Sequence, residues 1–240
     1  FILSNKSDLT RQISNGQISA ERETHPMSHG LIFDIGANNG DDTGFYLNKG
    51  FDVVAAEADP ALCRALRERF PEAVATGRLV VENVGIAGEE GVLDFYVNTH
   101  KDWSSFVREG KATQKNEYET ISVRTVPLAL LVARHGTPYY LKIDIEGFEK
   151  QAIESLLPRK DSPEYLSFEV NPDWREILGY VMRMGYRRFQ LVQQGEGNLA
   201  APPEPAREGD YYAVDFNGSM SGCFGKELAG EWVGPEQITQ

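Results

Sequence analysis

Short apolar runs alternate with amphipathic stretches through the middle of the chain. Three runs, at 31–33, 53–56 and 79–81, have the length and composition of buried parallel strands. In the segment 61–70, apolar residues recur every three or four positions, which is the period of a helix with one buried face. Strands that alternate with helices in this way predict a doubly wound α/β fold, in which a mostly parallel sheet carries helices on both faces.

The same patterns continue in the second half of the chain. They predict helices at 128–135, 147–157 and 173–184 and strands at 139–144, 165–169, 188–193 and 211–216. Between about 91 and 126 the rhythm changes, because apolar residues alternate with polar ones on either side of a polar loop at 100–119. We interpret the region near 91–126 as a strand and loop insertion into the α/β fold.

Composition limits the domain organisation and the partners. The 240 residues are 41% hydrophobic, which is enough for the core of one domain. We expect that domain to span 29–240, after a polar leader at 1–28. The net charge of −12 argues against nucleic acid as a partner, because nucleic-acid binding requires a basic surface.

The sequence gives no sign of a membrane partner or of export. The longest apolar run, 126–133, is interrupted by Pro127 and is too short to cross a bilayer. The first residues show no signal-peptide pattern, and two cysteines provide no disulfide framework. We therefore expect a cytoplasmic protein.

The segment 34–40, Asp-Ile-Gly-Ala-Asn-Asn-Gly, directly follows the first predicted strand. Gly36 and Gly40 are typical of a turn in which the backbone approaches a ligand closely. About 20 residues further on, an acid at the end of the second strand binds the two hydroxyls of a ribose in such sites. Glu57 has this position. The pattern therefore predicts a site for a nucleotide-type cofactor.

The charges around this turn favour S-adenosylmethionine (SAM) over a dinucleotide. Asn38 stands where dinucleotide-binding turns usually have a glycine beneath the pyrophosphate. Asp41 and Asp42 open the following helix, and two anions there would repel a diphosphate. SAM has a ribose, no phosphate, and both an ammonium and a sulfonium group, which suit Asp34 and these acids. The alternative is that Asp41 and Asp42 merely complement the helix dipole.

Two later core strands also end in acids, Asp144 and Glu169. Because ligands bind outside the C-terminal ends of strands in open α/β sheets, these acids are candidates for a general base, a substrate anchor or a metal ligand. Two converging carboxylates would repel each other unless a cation lies between them, and one would otherwise be pushed toward its neutral form. The candidates for that cation are a divalent ion such as Mg²⁺, Lys142 and a loop arginine. The alternative role for each acid is helix capping.

Four segments together resemble the FkbM family of SAM-dependent methyltransferases. They are DIGANNGDDT (34–43), VVAAEADP (53–60), NVGI (83–86) and, most distinctive, LKIDIEGFE (141–149). The resemblance implies a class I, Rossmann-like methyltransferase fold with a seven-stranded sheet and SAM as cofactor. It also implies O-methylation of a hydroxylated small-molecule acceptor, often a sugar or a polyketide.

The resemblance further implies roles for individual residues. It places Asp34, Gly36 and Gly40 at the methionine part of SAM, Glu57 at the ribose, and Asn83, Val84 and Gly85 at the adenine. Further candidate cofactor-binding residues are Asn38, Asn39 and Ala58. Asp144 and Glu146 face the reacting centre, and Glu169 is the further candidate there. Independently of the resemblance, His100 in the inserted loop is a candidate base or substrate contact, because histidine titrates near neutral pH. Its alternative is an ordinary surface residue.

Two other functions remain open at this point. A nicotinamide-dependent oxidoreductase on the same fold is disfavoured by Asn38, by the acids at 41–42 and by the acid that ends the strand at 144. A SAM-binding protein without turnover is disfavoured only by Asp144, Glu146 and Glu169. Binding of SAM against NAD tests the first alternative, and methyl transfer to hydroxylated acceptors tests the second.

Overall fold

The computed structural model describes residues 2–4, 30–99, 104–108, 113, 118–169 and 173–190. The strands in these ranges are β1 (Ile2–Ser4), β2 (Leu31–Ile35), β3 (Asp52–Glu57), β4 (Leu79–Asn83), β5 (Gly85–Ile86), β6 (Gly91–Asn98), β7 (Tyr118–Val126), β8 (Tyr140–Ile143), β9 (Tyr165–Phe168) and β10 (Arg188–Gln190). The helices are α1 (Asp41–Asn48), α2 (Pro60–Arg69), α3 (Pro71–Ala75), α4 (Leu128–His135), α5 (Glu149–Leu156) and α6 (Trp174–Arg183).

Seven of these strands form one sheet in the order β10–β1–β9–β8–β2–β3–β4. The neighbouring strands from β9 to β4 are parallel, whereas β1 runs antiparallel to both β9 and β10. The winding direction changes at β2, which lies between β3 and β8, and such a switch point opens a crevice at the C-terminal edge of the sheet. The predicted doubly wound, mostly parallel, seven-stranded α/β fold is confirmed.

Helices cover both faces of this sheet. On β2, Phe33 and Ile35 pack in a core with residues of α4, α5 and α6. Ile32, which points to the opposite side, packs in a second core with residues of α1 and α2. Because both faces of the strand are buried, the strand has the continuous apolar run seen in the sequence instead of an alternating one.

The ends of the helices follow signals in the sequence. Asp59 caps α2, since its side chain accepts a hydrogen bond from the backbone N–H two residues further on. α4 ends at Gly136, which has a φ of 94°. The helix predicted at 147–157 begins later, at Glu149, because the residues before it form a turn that belongs to the candidate site.

The inserted region forms a separate sheet in the order β5–β7–β6. β6 pairs antiparallel with β7 along its whole length, and β5 runs parallel to β7. The two strands predicted here are therefore confirmed. Part of the connecting loop also pairs with β6, because Ser105 and Tyr96 exchange backbone hydrogen bonds of 2.9 and 3.2 Å.

The sequence pattern does not predict β1, because three residues are too few to show a period. This strand brings residues 2–4 of the predicted leader into the central sheet, between β9 and β10. Of the late strand predicted at 188–193, residues 188–190 form β10. The strand predicted at 211–216 and the rest of the leader lie outside the described residues. Among the helices of the described ranges, none is sufficiently long and apolar to traverse a membrane.

Candidate active site

Glycines in a left-handed conformation shape the turn between β2 and α1. Gly36 has a φ of 81° and Gly40 a φ of 85°, a region that disfavours residues with a side chain. A Cβ atom on Gly36 would overlap the backbone carbonyl oxygen of Asp144, and one on Gly40 would overlap the side chain of Leu66. The glycines therefore allow this turn to pack against the end of β8 and against α2. Both glycines are therefore needed for the packing of the turn itself, in addition to any close approach of a ligand.

Glu57, at the end of β3, fixes the same turn from the side. One of its carboxylate oxygens accepts a hydrogen bond from the backbone N–H of Asn38 at 2.9 Å, and the other accepts one from Asp59 at 2.8 Å. Glu57 is 7% exposed, and burial raises the pKa of its carboxyl although the backbone donors oppose the rise. Asn38 has a φ of 46°, which asparagine tolerates better than most residues. Glu57 therefore organises the turn, and its role as the ribose acceptor stays a prediction.

The residues expected near ribose and adenine lie close to each other at the ends of β3 and β4. The side-chain amide of Asn83 donates hydrogen bonds to the carbonyl oxygens of Glu57 at 3.0 Å and of Ala58 at 3.1 Å. Asn83 is exposed and Ala58 is half-buried, whereas Val84 and Gly85 are buried. Asn83 and Ala58 are thus the members of this group with accessible surface.

A buried lysine connects the two halves of the site. Lys142 on β8 lies with its Nζ atom 2.6 Å from Asp42 on α1, 3.3 Å from Asp34 on β2 and 3.8 Å from Asp144. Burial opposes the charge on Lys142, but Asp34, Asp144 and Asp42 hold the pKa of its ammonium well above the usual range. Lys142 therefore remains a cation, and we refer to these four residues as the lysine cluster.

Asp34 is the most enclosed member of the lysine cluster. It has no exposed surface, and its carboxylate also accepts a hydrogen bond from the hydroxyl of Thr43 at 2.6 Å. Burial raises the pKa of Asp34, and the nearby ammonium of Lys142 opposes this rise. Asp34 therefore contacts Lys142 and Thr43 and has no surface open to a ligand. The side chains of Asp42 and Asp144, in contrast, are partly exposed.

The two acids that open α1 have different partners. Asp42 belongs to the lysine cluster, whereas Asp41 forms an ion pair of 2.7 Å with Arg69 on α2. Asn39 donates its side-chain amide to Asp41 at 2.9 Å, and Arg69 donates to the carbonyl oxygen of Asn39 at 2.8 Å. The hydrogen bonds from Arg69 and Asn39 lower the pKa of Asp41. Asp41 and Asn39 thus brace the outer side of the glycine turn.

The acids that follow β8 and β9 meet in one place. Asp144, Glu146 and Glu169 are half-buried, and one carboxylate oxygen from each lies within 4.8 Å of the others. They converge because β8 and β9 are adjacent and parallel, so the ends of both strands lie at the same edge. The expected convergence of Asp144 and Glu169 is confirmed, with Lys142 as a positive neighbour of Asp144.

Glu146 has an unusual backbone conformation, which a second glutamate supports. Its φ is 51°, in a region that few residues other than glycine adopt. Glu149 is completely buried, and its two carboxylate oxygens accept the backbone N–H groups of Ile145 and Gly147, each at 3.0 Å. The amides on both sides of Glu146 are therefore held by one carboxylate.

The inserted region contacts this turn directly. Ser105 is buried and donates its hydroxyl to the carbonyl oxygen of Glu146 at 2.7 Å. Next to it, the ring of Phe106 lies 5.4 Å from that of Phe148 and 4.8 Å from that of Phe95, measured between centroids. A Cβ atom on Gly85 would overlap Phe106, so β5 also packs closely here. His100 lies outside the described residues, and its role stays a prediction.

Three residues of the site are not among the predicted catalytic or cofactor-binding residues, although Lys142 is already expected as one possible counter-ion of the acids. Lys142 could be recognised as facing the same side as Asp144, because residues two apart in a strand share a side. Glu149 has no such signal, since an acid in the first turn of a helix is usually exposed. Ser105 depends on contacts between segments that are distant in the sequence.

The fold and the site define a doubly wound α/β domain with a glycine turn and three converging acids at the C-terminal edge of its sheet. The family model described as the methyltransferase FkbM domain matches residues 34–188. That range is more than half of the chain, and the chain belongs to the FkbM methyltransferase family. The comparison with curated proteins gave no significant match.

Two solved structures match part of the chain. One is the methyltransferase FkbM of Methylobacillus flagellatus KT, with 18% identity and a TM-score of 0.38; the match covers 54% of this chain and 29% of that one. The other is the precorrin-6y C5,15-methyltransferase of Geobacter metallireducens GS-15, with 15% identity and a TM-score of 0.36; the match covers 68% of this chain and 66% of that one. The chain thus spans less than a third of the first protein.

Proposed function

We propose that this protein transfers a methyl group from SAM to a hydroxyl oxygen of a small-molecule acceptor. Membership of a methyltransferase family supports the reaction class. The observation that carries the proposal is that the glycine turn and the three converging acids lie at the ends of adjacent strands, β2, β8 and β9. A cofactor in the turn would then lie beside groups able to handle an acceptor hydroxyl.

The charges of the site fit SAM better than a dinucleotide. The lysine cluster contains three aspartates and one lysine, and the first turn of α1 carries no basic residue. Such a surface attracts the ammonium and sulfonium of SAM. Asp41 is paired with Arg69, so the repulsion of a diphosphate at this helix end comes from Asp42 and the other aspartates of the lysine cluster. This contrast supports SAM over NAD as the cofactor.

In the proposal, the cofactor extends along the C-terminal edge from β2 to β4. Asp42, Asn38 and the turn backbone hold the methionine part, with Asp34 acting through Lys142. Glu57 accepts the ribose hydroxyls, because a carboxylate oxygen can accept more than one hydrogen bond. Asn83 and Ala58 offer accessible surface toward adenine. SAM supplies the electrophilic methyl group.

On the acceptor side, the proposal assigns proton removal to the acids. Asp144 is the preferred base, because it belongs both to the acid group and to the lysine cluster. Glu146 and Glu169 orient the acceptor through hydrogen bonds to its hydroxyls. The proposal does not use Lys142 as the base, because the surrounding aspartates hold its pKa well above the usual range although burial opposes this. Alignment of the acceptor oxygen is the main contribution expected of the protein.

Cofactor choice is tested by isothermal titration with SAM, with its demethylated product S-adenosylhomocysteine and with NAD. We expect binding of the first two and not of NAD. Transfer of labelled methyl from SAM is then measured over a panel of hydroxylated sugars and polyketides. Preferential binding of NAD would replace the proposal with an oxidoreductase. SAM binding without transfer to any member of the panel would leave a SAM-binding protein without turnover.

The placement of the active site is tested by substitution of the acids. Asp144→Asn should lower turnover by about a hundredfold or more, because removal of a general base typically costs 10²–10⁴-fold. Asp94→Asn, on the exposed face of β6, is the matched control and should leave turnover unchanged. Near-normal turnover in both Asp144→Asn and Glu169→Gln would refute this placement.

A divalent cation is the alternative partner for the acids. Mg²⁺ prefers carboxylate oxygens, and Asp144, Glu146 and Glu169 offer three of them within 4.8 Å. Bound there, the ion would lower the pKa of the acceptor hydroxyl. Turnover that persists after EDTA treatment would exclude the metal version and leave Lys142 as the positive partner of Asp144.

A further inference from the structure

We propose that Ser105 and Glu149 are positioning residues that hold the backbone of Glu146, so that its carboxylate faces Asp144 and Glu169. This inference deepens the proposed function and rests on it. Neither residue is a catalytic residue in the proposal. Both act through the turn 144–148, one from the inserted region and the other from α5.

The backbone conformation of Glu146 is energetically unfavourable. A glutamate at a φ of 51° is strained, and such strain persists only where the surroundings compensate for it. Relaxation of the backbone to negative φ would redirect the side chain. The convergence of the three carboxylates within 4.8 Å therefore depends on whatever holds this backbone.

The backbone of Glu146 is held by three hydrogen bonds. Glu149 accepts the N–H of the preceding residue, Ile145, and that of the following residue, Gly147. Ser105 donates to the carbonyl oxygen of Glu146 itself. Because Ser105 and Glu149 are both buried, water does not readily substitute for either hydrogen-bonding partner.

Ser105 is itself held in place by the inserted region. Its backbone pairs with Tyr96 on β6, and its hydroxyl accepts a hydrogen bond from the N–H of Val107 at 2.9 Å. The adjacent Phe106 packs against Phe148. The acid group is therefore correctly formed only when the inserted region is docked on the central domain, which gives the insertion a defined role in the site.

The closing experiment compares Ser105→Ala with two controls. Ser105→Thr keeps the hydroxyl, and Ser104→Ala removes a neighbouring hydroxyl that accepts the N–H of Asn98 instead of contacting the turn. Hydrogen–deuterium exchange of the Ile145 and Gly147 amides is read by NMR in the complete chain, without an acceptor. We expect exchange at least fivefold faster in Ser105→Ala, and near wild-type exchange in both controls.

Turnover provides the second measurement, on whichever acceptor the methyl-transfer panel identifies. Ser105→Ala should lose about tenfold in kcat/KM for the acceptor, while SAM affinity changes less than twofold and Ser105→Thr restores most of the loss. Glu149→Gln should lose about a hundredfold, against no loss in Glu154→Gln on the exposed face of α5. Misplacement by about 1 Å can cost this much.

The outcomes separate this inference from the proposed function. Unchanged exchange in Ser105→Ala overturns the inference, as do equal effects of Ser105→Ala and Ser104→Ala. If Glu149→Gln does not fold, the serine variants decide alone. Absence of SAM binding or of methyl transfer by the wild-type protein counts against the proposed function, whereas the exchange result still accepts or rejects the role of Ser105.

Discussion

Two turns at the same edge of the sheet support unusual backbone conformations with similar devices. The turn after β2 and the turn after β8 each place a residue other than glycine at positive φ, Asn38 in the first and Glu146 in the second. In each, a buried glutamate uses both carboxylate oxygens to accept backbone N–H groups, although one of the two amides bound by Glu57, that of Asp59, lies outside the turn. Glu57 does so for the first turn and Glu149 for the second.

The turns differ in the origin of that glutamate. Glu57 comes from the neighbouring strand, 19 residues from the amide of Asn38. Glu149 belongs to the helix that follows its own turn, which Ser105 then connects to the insertion. The glycine turn thus depends on strand pairing within the central sheet, whereas the acid-bearing turn depends on local contacts and on the docked insertion.

They differ also in the cost of the left-handed residue. Asparagine enters this region of φ at low cost, and glutamate does not. Retention of a costly residue is expected where its side chain is needed. This difference favours a binding role for the backbone of the first turn and a chemical role for the side chain of Glu146 in the second.

The contact between the turns should give the largest effect. Gly36→Ala would force its Cβ atom into the carbonyl of Asp144 at a φ of 81°. We expect this overlap to lower the free energy of unfolding by more than about 4–5 kcal/mol, which is at the extreme for a single substitution. The variant should therefore not fold stably. Gly77→Ala is the matched control, since its φ is 74° but nothing lies within 4 Å of the added atom. It should cost about 1–2 kcal/mol in urea unfolding.

Removal of the charge that joins the turns should have the next largest effect. Lys142→Met leaves Asp34, Asp42 and Asp144 without their buried cation, at a cost of about 3–5 kcal/mol in the free energy of unfolding near pH 7. Lys150→Met, which removes a surface lysine, is the control. A comparably small effect of both substitutions would contradict the importance assigned to the lysine cluster.

The cost of Lys142→Met should also depend on pH. Burial raises the folded-state pKa of Asp34 above 3.8, so its contribution to stability is present at low pH and is lost as the pH rises through that pKa. Loss of Lys142 raises this pKa further. In the wild type, the raised pKa of Lys142 adds stability that is complete below 10.5. The free energy of unfolding that is lost in Lys142→Met should therefore be smaller at pH 4 than at pH 8, and unfolding measured at both pH values checks this.

Glu57→Gln tests the first turn alone. The amide group would replace one acceptor and leave the N–H of Asn38 or Asp59 facing a donor, at a cost of about 1–3 kcal/mol. SAM affinity should fall at the same time, because the ribose position and the turn change together. Urea unfolding and calorimetry measure both effects. Glu68→Gln, at an exposed position of α2, should change neither.

The smallest effects distinguish the two left-handed residues. Glu146→Gly removes backbone strain of about 1–2 kcal/mol from the folded protein. It also increases the conformational entropy of the unfolded chain, which lowers stability by about 0.4–1 kcal/mol. We therefore expect a net gain in the free energy of unfolding. Asn38→Gly should be neutral or slightly destabilising, because asparagine has little strain to relieve. A clear loss of stability in folded Glu146→Gly would contradict the strain that the comparison assigns to the second turn.

Much of the first turn could be predicted from sequence, and little of what holds the second could. The glycine turn follows from short-range patterns: an apolar run, two glycines at fixed spacing and an acid at the end of the next strand. The position of Asp144 and Glu169 at the ends of adjacent strands could be predicted in the same way. The hydrogen bonds that Glu149 accepts could not be predicted, because their donors are backbone amides that become available only once the turn adopts positive φ.

The sequence by itself determined the parallel sheet, the helices, the insertion and the family, because these depend on periodicity and on motifs within short segments. Only the tertiary structure decided which charges meet. Lys142 contacts carboxylates from positions 34, 42 and 144, on two strand ends and a helix, and Ser105 reaches Glu146 across 41 residues. Such contacts depend on distances in space, and a linear pattern of residue types does not specify which of the many possible pairs the packed sheet brings together.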